Sequence, residues 1–310
     1  MDNFEHQSVL LQQSVEALVT DKDGFYIDGT FGRGGHSRKI LEKLSSKGKL
    51  LVIDKDPDAI KEALHLQQKD KRVFVAHSSF AELEQLADMH GVMGKVTGVL
   101  LDLGVSSPQL DDAARGFSFS REGPLDMRMD TQSGVTAAQW VADAKEEELI
   151  RVFFEYGEEK FSRRIARAIV RERELAPITT TLQLAEIVKQ AHPAWEKHKH
   201  PATRVFQAIR IVINRELLDL EMVLSQILEL LCVGGRMVVI SFHSLEDRLV
   251  KQFISKQERG DHYPPDMAVT QAQLNPRLKR IGKQVRAGAE EVALNVRSRS
   301  AVLRVAEKIA

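Results

Sequence analysis

The feature that most restricts how this chain can fold is a short, mostly apolar run that stops at an aspartate, met three times in its first third. Gly24–Ile27 ends at Asp28, Lys49–Ile53 at Asp54 and Val96–Leu101 at Asp102, while a further run, Val73–Ala76, precedes Phe80-Ala81-Glu82-Leu83. Runs this short and this apolar fit strands buried on both faces. Between them the apolar residues recur at helical spacing: Ile40, Leu41 and Leu44 after the first run, Ile60 and Leu64 after the second, where Pro57 suits a first helical turn. Strand and helix in alternation imply an α/β fold with a parallel sheet covered on both faces. Open sheets of that kind bind ligands at the C-terminal ends of their strands, where the three aspartates stand.

The alternation is lost after Leu110. From about Asp112 to Asn214 there is helical periodicity and loop, without a convincing strand. A long amphipathic helix follows, with Leu217, Leu220, Leu224, Ile227, Leu228 and Leu231 on one side, and Gly234-Gly235 reads as its end. Strand texture returns at Arg236–Ser241 and at Ser300–Val305, and Asp261–Pro276, with three prolines, reads as a mobile loop. The expected organisation is therefore a discontinuous Rossmann-like domain, residues 1–112 and 215–310, interrupted by an all-helical domain over 113–214. At 310 residues, with 43% hydrophobic and 28% charged, the chain is ordinary globular material and neither disordered nor collagenous. No uncharged apolar run approaches the roughly 18 residues that span a bilayer, and the first residues lack the basic-then-apolar order of a signal peptide. A soluble, cytoplasmic protein is expected.

Glycines at a strand-to-helix turn let backbone approach a ligand, and the next helix offers unpaired N–H groups. Here the turn reads Asp28-Gly29-Thr30-Phe31-Gly32-Arg33-Gly34-Gly35-His36. Ser37 stands where the dinucleotide fingerprint has its third glycine, and no Gly-Lys-Ser/Thr follows, which disfavours a nicotinamide oxidoreductase and a P-loop NTPase. The loop carries acids in place of phosphate-binding features. Asp54, at the end of the second strand, stands at the offset from the glycines expected of an acid that accepts both ribose hydroxyls. Asp28, Gly32, Gly34, Gly35 and Asp54 thus suit an adenosine with a cationic sulfonium and an amino-acid tail. Phe80 reads equally as an adenine neighbour or as a core phenylalanine.

The segment after the fourth strand, Asp102-Leu103-Gly104-Val105-Ser106-Ser107-Pro108-Gln109, is the catalytic candidate. An exocyclic amine has its lone pair delocalised into the base, so attack on a methyl sulfonium needs acceptors that hold its N–H groups. Asp102 and the carbonyls and hydroxyls of Ser106, Ser107 and Pro108 can supply them; the bland reading is a proline turn leading into the insertion. The segment is similar in part to the Ser-Pro-Pro-Tyr motif of amino methyltransferases, but continues Gln109-Leu110. Methylation at a pyrimidine carbon would use an exposed cysteine nucleophile, and Cys232, the single cysteine, falls at the end of a leucine-rich helix where burial is expected. That favours transfer to nitrogen or oxygen. One cysteine also excludes a disulfide framework or a thiolate metal cluster.

Lys plus Arg and Asp plus Glu both number 44, so attraction to a polyanion must come from local patches. Two stand out. In Lys160–Arg173, Phe161, Ile165, Ala168 and Ile169 form an apolar stripe while Arg163, Arg167 and Arg171 share another face; near the C-terminus, Arg277, Lys279, Arg280, Lys283 and Arg286 cluster. Either can contact RNA phosphates, the alternative being solvated charge. His192, His198 and His200 lie between prolines with Glu196 as the local acid, which suits loop histidines better than a metal site, and no metal is expected. His243 follows the fifth strand and stands as a candidate border of the pocket.

Taken with Asp28–His36 and Asp102–Gln109, the motifs Gly116-Phe117-Ser118-Phe119, Gly123-Pro124-Leu125-Asp126-Met127-Arg128-Met129-Asp130, His200-Pro201-Ala202-Thr203-Arg204 and Ser241–Arg248 resemble the MraW (RsmH) family of bacterial ribosomal RNA small-subunit methyltransferases, over nearly the whole chain. The resemblance implies an enzyme that uses S-adenosylmethionine to methylate the exocyclic N4 of a cytidine in the decoding-centre (P-site) region of 16S rRNA, within an assembled small subunit. It also implies cofactor contacts at Gly34, Gly35, His36, Asp54, Phe80, Asp102 and Gln109, and a helical insertion that contributes to substrate recognition. Three alternatives stay open: the same chemistry on DNA or another RNA, a small-subunit assembly factor that binds the cofactor without catalysis, and, least favoured, an oxidoreductase. A homodimer stays open beside the RNA partner.

Overall fold

The computed structural model describes residues 8–194, 200–263, 267 and 270–310. In chain order, helix α1 (Leu11–Leu18) leads into β1 (Phe25–Asp28), α2 (Gly35–Lys43), β2 (Lys49–Asp54), α3 (Pro57–Lys69), β3 (Val73–His77), a 3-10 turn at Phe80–Glu82, α4 (Leu83–Met89) and β4 (Val96–Asp102). Six helices follow: α5 (Ser107–Asp111), α6 (Ala137–Asp143), α7 (Glu146–Glu155), α8 (Ser162–Leu175), α9 (Thr181–Ala191) and α10 (Ala202–Asn214). The chain then runs through α11 (Glu216–Leu230), β5 (Leu231–Ser241), α12 (Ser244–Arg259), β6 (Leu278–Arg280), β7 (Val285–Arg286), α13 (Ala289–Leu294) and β8 (Val302–Lys308). No helix among the described residues is long and apolar enough to cross a membrane.

The chain divides into two compact units, one of residues 1–104 and 217–310, the other of 105–216. In the first, one eight-stranded sheet has the order β3-β2-β1-β4-β5-β8-β6, with β7 also on β8; β1 to β5 are parallel, and β8 runs antiparallel to β5. This is the Rossmann-like arrangement expected. Strand alternation assigns the faces. Ile27, Leu51, Ile53, Val99, Leu101 and Val239 pack with Leu83, Leu220, Leu224, Ile227 and Val250, whereas Tyr26, Leu50, Val52, Leu100, Val238 and Ile240 pack with Val15, Leu18, Ile40 and Ala63. Each sheet face thus has its own helices, and Asp28, Asp54 and Asp102 stand at the C-terminal ends of β1, β2 and β4. Asp56 caps α3 by accepting from Asp58 N, with Pro57 in the first turn as the sequence indicates.

The second unit has its own core, built from residues such as Leu125, Met127, Val141, Phe153, Ile165, Ile169, Leu184 and Val205. Val105 and Leu110 pack against that core, which is why the division falls after Gly104, earlier than the 112/113 boundary read from the sequence. The motif residues around 116–130 build a fixed turn. Gly116 has φ 73° and a Cβ there would lie 2.3 Å from Pro124 O. Arg115 donates to the carbonyls of Arg128 and Met129, and Asn214 accepts from Met129 N at 2.7 Å while donating to Met127 O at 2.8 Å.

Two elements differ from expectation. Gly234 and Gly235 do not end the amphipathic helix: α11 stops at Leu230 and passes directly into β5, and Gly234 (φ 82°) sits where the pairing with β4 slips between Val96↔Leu231 and Gly98↔Arg236. They serve a strand bulge, not a helix cap. The proposed loop Asp261–Pro276 lies partly outside the described residues; Gln271–Leu274 forms a 3-10 turn.

Candidate cofactor and catalytic site

Asp28, at the end of β1, is fully buried and fastens the glycine loop at both of its ends: Oδ1 accepts from Thr30 N at 3.1 Å and Oδ2 from Ser37 Oγ, in the first turn of α2, at 2.6 Å. Gly34 precedes α2 in the left-handed region (φ 73°, ψ 22°), and a Cβ there would come within 2.5 Å of the Phe31 ring. Asp54, at the end of β2, reaches across the loop, accepting from Gly32 N at 2.7 Å through Oδ2 and from Asp56 N at 2.9 Å through Oδ1. The acids at the two strand ends therefore hold the loop's shape as well as its charge.

Asp102, at the end of β4, completes the group. Its N–H donates to Thr30 Oγ1 at 2.6 Å, so Thr30 links Asp28 to Asp102 through its own amide and hydroxyl. Asp102 Oδ2 lies 3.6 Å from His36 Nδ1, and Oδ1 is buried without a hydrogen-bond partner. His36 Nε2 lies 3.1 Å from the carbonyl of Val9, which can only accept. That nitrogen carries the proton, and the Nδ1 lone pair faces Asp102. Burial lowers the His36 imidazole to about 4, so it is neutral at ordinary pH. Burial raises the Asp28 carboxyl to about 6 and pushes Asp54 upward too. Asp102 is raised well above the usual carboxylate range by burial, then by the charges of Asp28 and Glu246. Glu246, in the first turn of α12, is buried and accepts from Phe242 N at 2.8 Å and His243 N at 3.2 Å.

No lysine or arginine pairs with Asp28, Asp54 or Asp102 among the described residues. Acids that are wholly or partly buried with no cation beside them are costly unless a ligand brings positive charge or further hydrogen-bond donors. The orphaned Asp102 oxygen and the glycine-lined turn thus fit an adenosine-bearing sulfonium. Phe80 is partly buried against the core and has the Lys55 ammonium 5.8 Å above its ring; that ammonium also pairs with Asp219, which accepts from Ser79 Oγ at 2.8 Å.

Ser106, Ser107, Pro108 and Gln109 belong to the second unit, where Ser106 caps α5, Ser107 and Pro108 open it, and the Gln109 side chain turns back to accept from Ser106 N at 2.9 Å. Arg163, Arg167 and Arg171 are exposed on α8 as the stripe indicates, although Arg167 meets Glu146 at 3.2 Å and Arg171 meets Glu172 at 2.7 Å. In the first unit, Arg277 pairs with Asp261 at 3.2 Å and Arg280 with Glu258 at 3.0 Å, while Lys279 is exposed.

His192 Nε2 lies 3.6 Å from Glu159, the His200 ring packs at a tilt against Phe119 with centroids 4.7 Å apart, and His198 lies outside the described residues. His243 caps α12 and meets Glu246 at 3.0 Å. Cys232 requires a correction: it is half-buried in β5, not buried at a helix end. Leu231 pairs with Val96 at the start of β4 and Ile240 with Asp102 at its end, which puts Cys232 roughly 20 Å along the strand from the acids at about 3.3 Å per residue. Distance along the strand, more than burial, separates the thiol from the acids.

Sequence reading missed Thr30 and Glu246. Glu246, three residues after His243 and just before Leu249 and Val250, has capping-box spacing, the one signal that points to it.

The model of the MraW methylase family matches residues 3–309. The chain is 57% identical over 306 residues to the ribosomal RNA small subunit methyltransferase H of Legionella pneumophila (strain Paris), covering 99% of each. It is 58% identical over 308 residues to the protein of the same name from Chromohalobacter salexigens, covering 99% of this chain and 92% of that one. With an acid-ended parallel sheet, a glycine turn and a match that spans all but its outermost residues, the chain belongs to the MraW methylase family.

Proposed function

We infer that the chain is an S-adenosylmethionine-dependent methyltransferase of small-subunit ribosomal RNA, acting on the exocyclic N4 of a cytidine in the decoding-centre region of 16S rRNA within the small subunit. The observation that carries this is the identity of 57% over 99% of both chains to a relative named for that activity class. The acids at the ends of β1, β2 and β4, which no lysine or arginine pairs among the described residues, support the cofactor; the cytidine, its N4 and the decoding-centre location rest on the family resemblance.

When bound, the cofactor supplies a methyl group on a positively charged sulfur. The chain's part is to hold and orient. Gly32, Gly34 and Gly35 give the ligand access to backbone, and Asp54 offers its remaining lone pairs to the ribose. Asp28 keeps the turn in shape, and His36 forms one wall. Phe80 borders the adenine, and Gln109 is the remaining family contact. The Asp102 carboxyl would accept an N–H of the flipped amine and so position its nitrogen toward the methyl group that the bound cofactor would supply. Ser106, Ser107 and Pro108 provide further acceptors. The helical insertion contributes to RNA recognition, with Arg163, Arg167 and Arg171 or Arg277, Lys279 and Arg280 on phosphates.

The test is Asp102→Ala. Methyl transfer should fall by about 10²-fold or more, in the range of lost positioning and proton-transfer groups, with little loss of folding stability. Full turnover at saturating cofactor would remove Asp102 from the reaction.

A further inference from the structure

The ionisation state of Asp102 follows from what surrounds it. Four titratable groups bear on this carboxyl or its neighbours: Asp28 from β1, Asp54 from β2 through Asp28, His36 from α2 and Glu246 from α12. None supplies positive charge. The Val9 carbonyl fixes the His36 proton on Nε2, so His36 turns a lone pair toward Asp102 Oδ2 at 3.6 Å. A carboxylate there would face a lone pair and two buried acids, with Oδ1 unpartnered. A neutral carboxylic acid faces neither conflict.

Resting on the cofactor reading above, we propose that binding of the sulfonium ionises Asp102 and expels its proton, so that the residue is an acid in the free protein and a base only with cofactor in place. The positive charge is the one element the acidic floor lacks. The ionised carboxylate is then available for the proton that the amine gives up as its nitrogen bonds the methyl carbon and the S–CH3 bond breaks, leaving its electron pair on sulfur. With the sulfonium charge gone, the protonated acid is again the favoured form. The site would therefore bind the charged cofactor and the neutral thioether product with different proton counts.

The experiment is isothermal titration calorimetry of the full chain at pH 7 in phosphate and in Tris, whose ionisation heats differ, which counts protons released on binding. Three probes are used: S-adenosylmethionine, S-adenosylhomocysteine, and sinefungin, which carries an ammonium in place of the methyl sulfonium. The expected result is release of up to about one proton with the two charged probes and little with the neutral one. Between pH 6 and 8 the affinity for the charged probes should rise at least about threefold while that for S-adenosylhomocysteine changes less than about twofold. In Asp102→Asn the difference between probes should vanish. Equal proton release by all three probes, or a difference that persists in Asp102→Asn, overturns the proposal. If that variant does not fold, the wild-type comparison of the three probes decides alone. Failure of every probe to bind would instead overturn the cofactor reading itself.

Discussion

Gly34→Ala, compared with Gly32→Ala, tests whether the glycine turn is shaped by packing or only by backbone freedom. Both residues have positive φ, 73° and 55°, so each alanine meets the left-handed penalty of about 1 kcal/mol. Their surroundings differ. Nothing lies within 4 Å of a Cβ at position 32, whereas at position 34 it would fall 2.5 Å and 2.7 Å from two carbons of the Phe31 ring. Phe31 is only 3% exposed and belongs to the core cluster with Ile40 and Leu41, so the ring must push into packed neighbours. Overpacking of that kind costs about 1–3 kcal/mol. Gly34→Ala should therefore lose about 3 kcal/mol against about 1 for Gly32→Ala, measured as midpoint and slope in guanidinium unfolding without cofactor. Adding Phe31→Leu to Gly34→Ala should recover part of the difference, because the alanine methyl and the ring compete for the same space. Equal losses for the two alanines, or no recovery, would refute the packing argument.

Three further outcomes are expected. Asp28 has its folded-state carboxyl raised to about 6, above an unfolded value of about 3.9, so its contribution to stability is full below pH 4 and is lost as pH rises through 6. Unfolding at pH 4.5 and 7.5 should show that Asp28→Asn removes a pH dependence on the order of 2 kcal/mol; an unchanged slope would mean that the burial of this acid is compensated. Cys232→Ser, at the far end of β5 from the acids, should leave methyl transfer at the wild-type rate, and loss of product would restore a thiol mechanism. Charge reversal of Arg163, Arg167 and Arg171 should weaken binding of the small subunit and reduce the salt slope by about 0.7–0.9 for each phosphate that is no longer neutralised, whereas unchanged affinity would assign the phosphates to Arg277, Lys279 and Arg280.

How much was legible in the sequence follows from how each residue meets its constraint. The central strands could be read because burial on both faces leaves an unbroken apolar run, and each run's acid marks the sheet edge that binds ligands. β6 and β7 could not: they are two or three residues long, carry Lys279, Arg280 and Arg286, and exist only because β8 pairs with them. The start of β5 was hidden because Leu231 continues the leucine spacing of α11, and nothing local says where helix gives way to strand. At the site, Asp28, Asp54 and Asp102 were visible by position. Asp28's role in tying the loop to Ser37, and Asp54's hold on Gly32, depend on contacts across strands that no spacing encodes. Thr30 is the clearest case, a residue inside the glycine motif that spacing does not single out, whose amide and hydroxyl join buried Asp28 to partly buried Asp102.

The central claim is a methyl transfer to a cytidine amine on the small ribosomal subunit, and the most direct measurement is the transfer itself. Purified protein would be incubated with labelled S-adenosylmethionine and small subunits lacking the mark, beside naked 16S rRNA and DNA, and the methylated nucleoside identified by mass spectrometry. The account predicts N4-methylcytidine in 16S rRNA, with the assembled subunit preferred over free nucleic acid. Label on DNA or on a different nucleoside, or no label despite measurable cofactor binding, would contradict it.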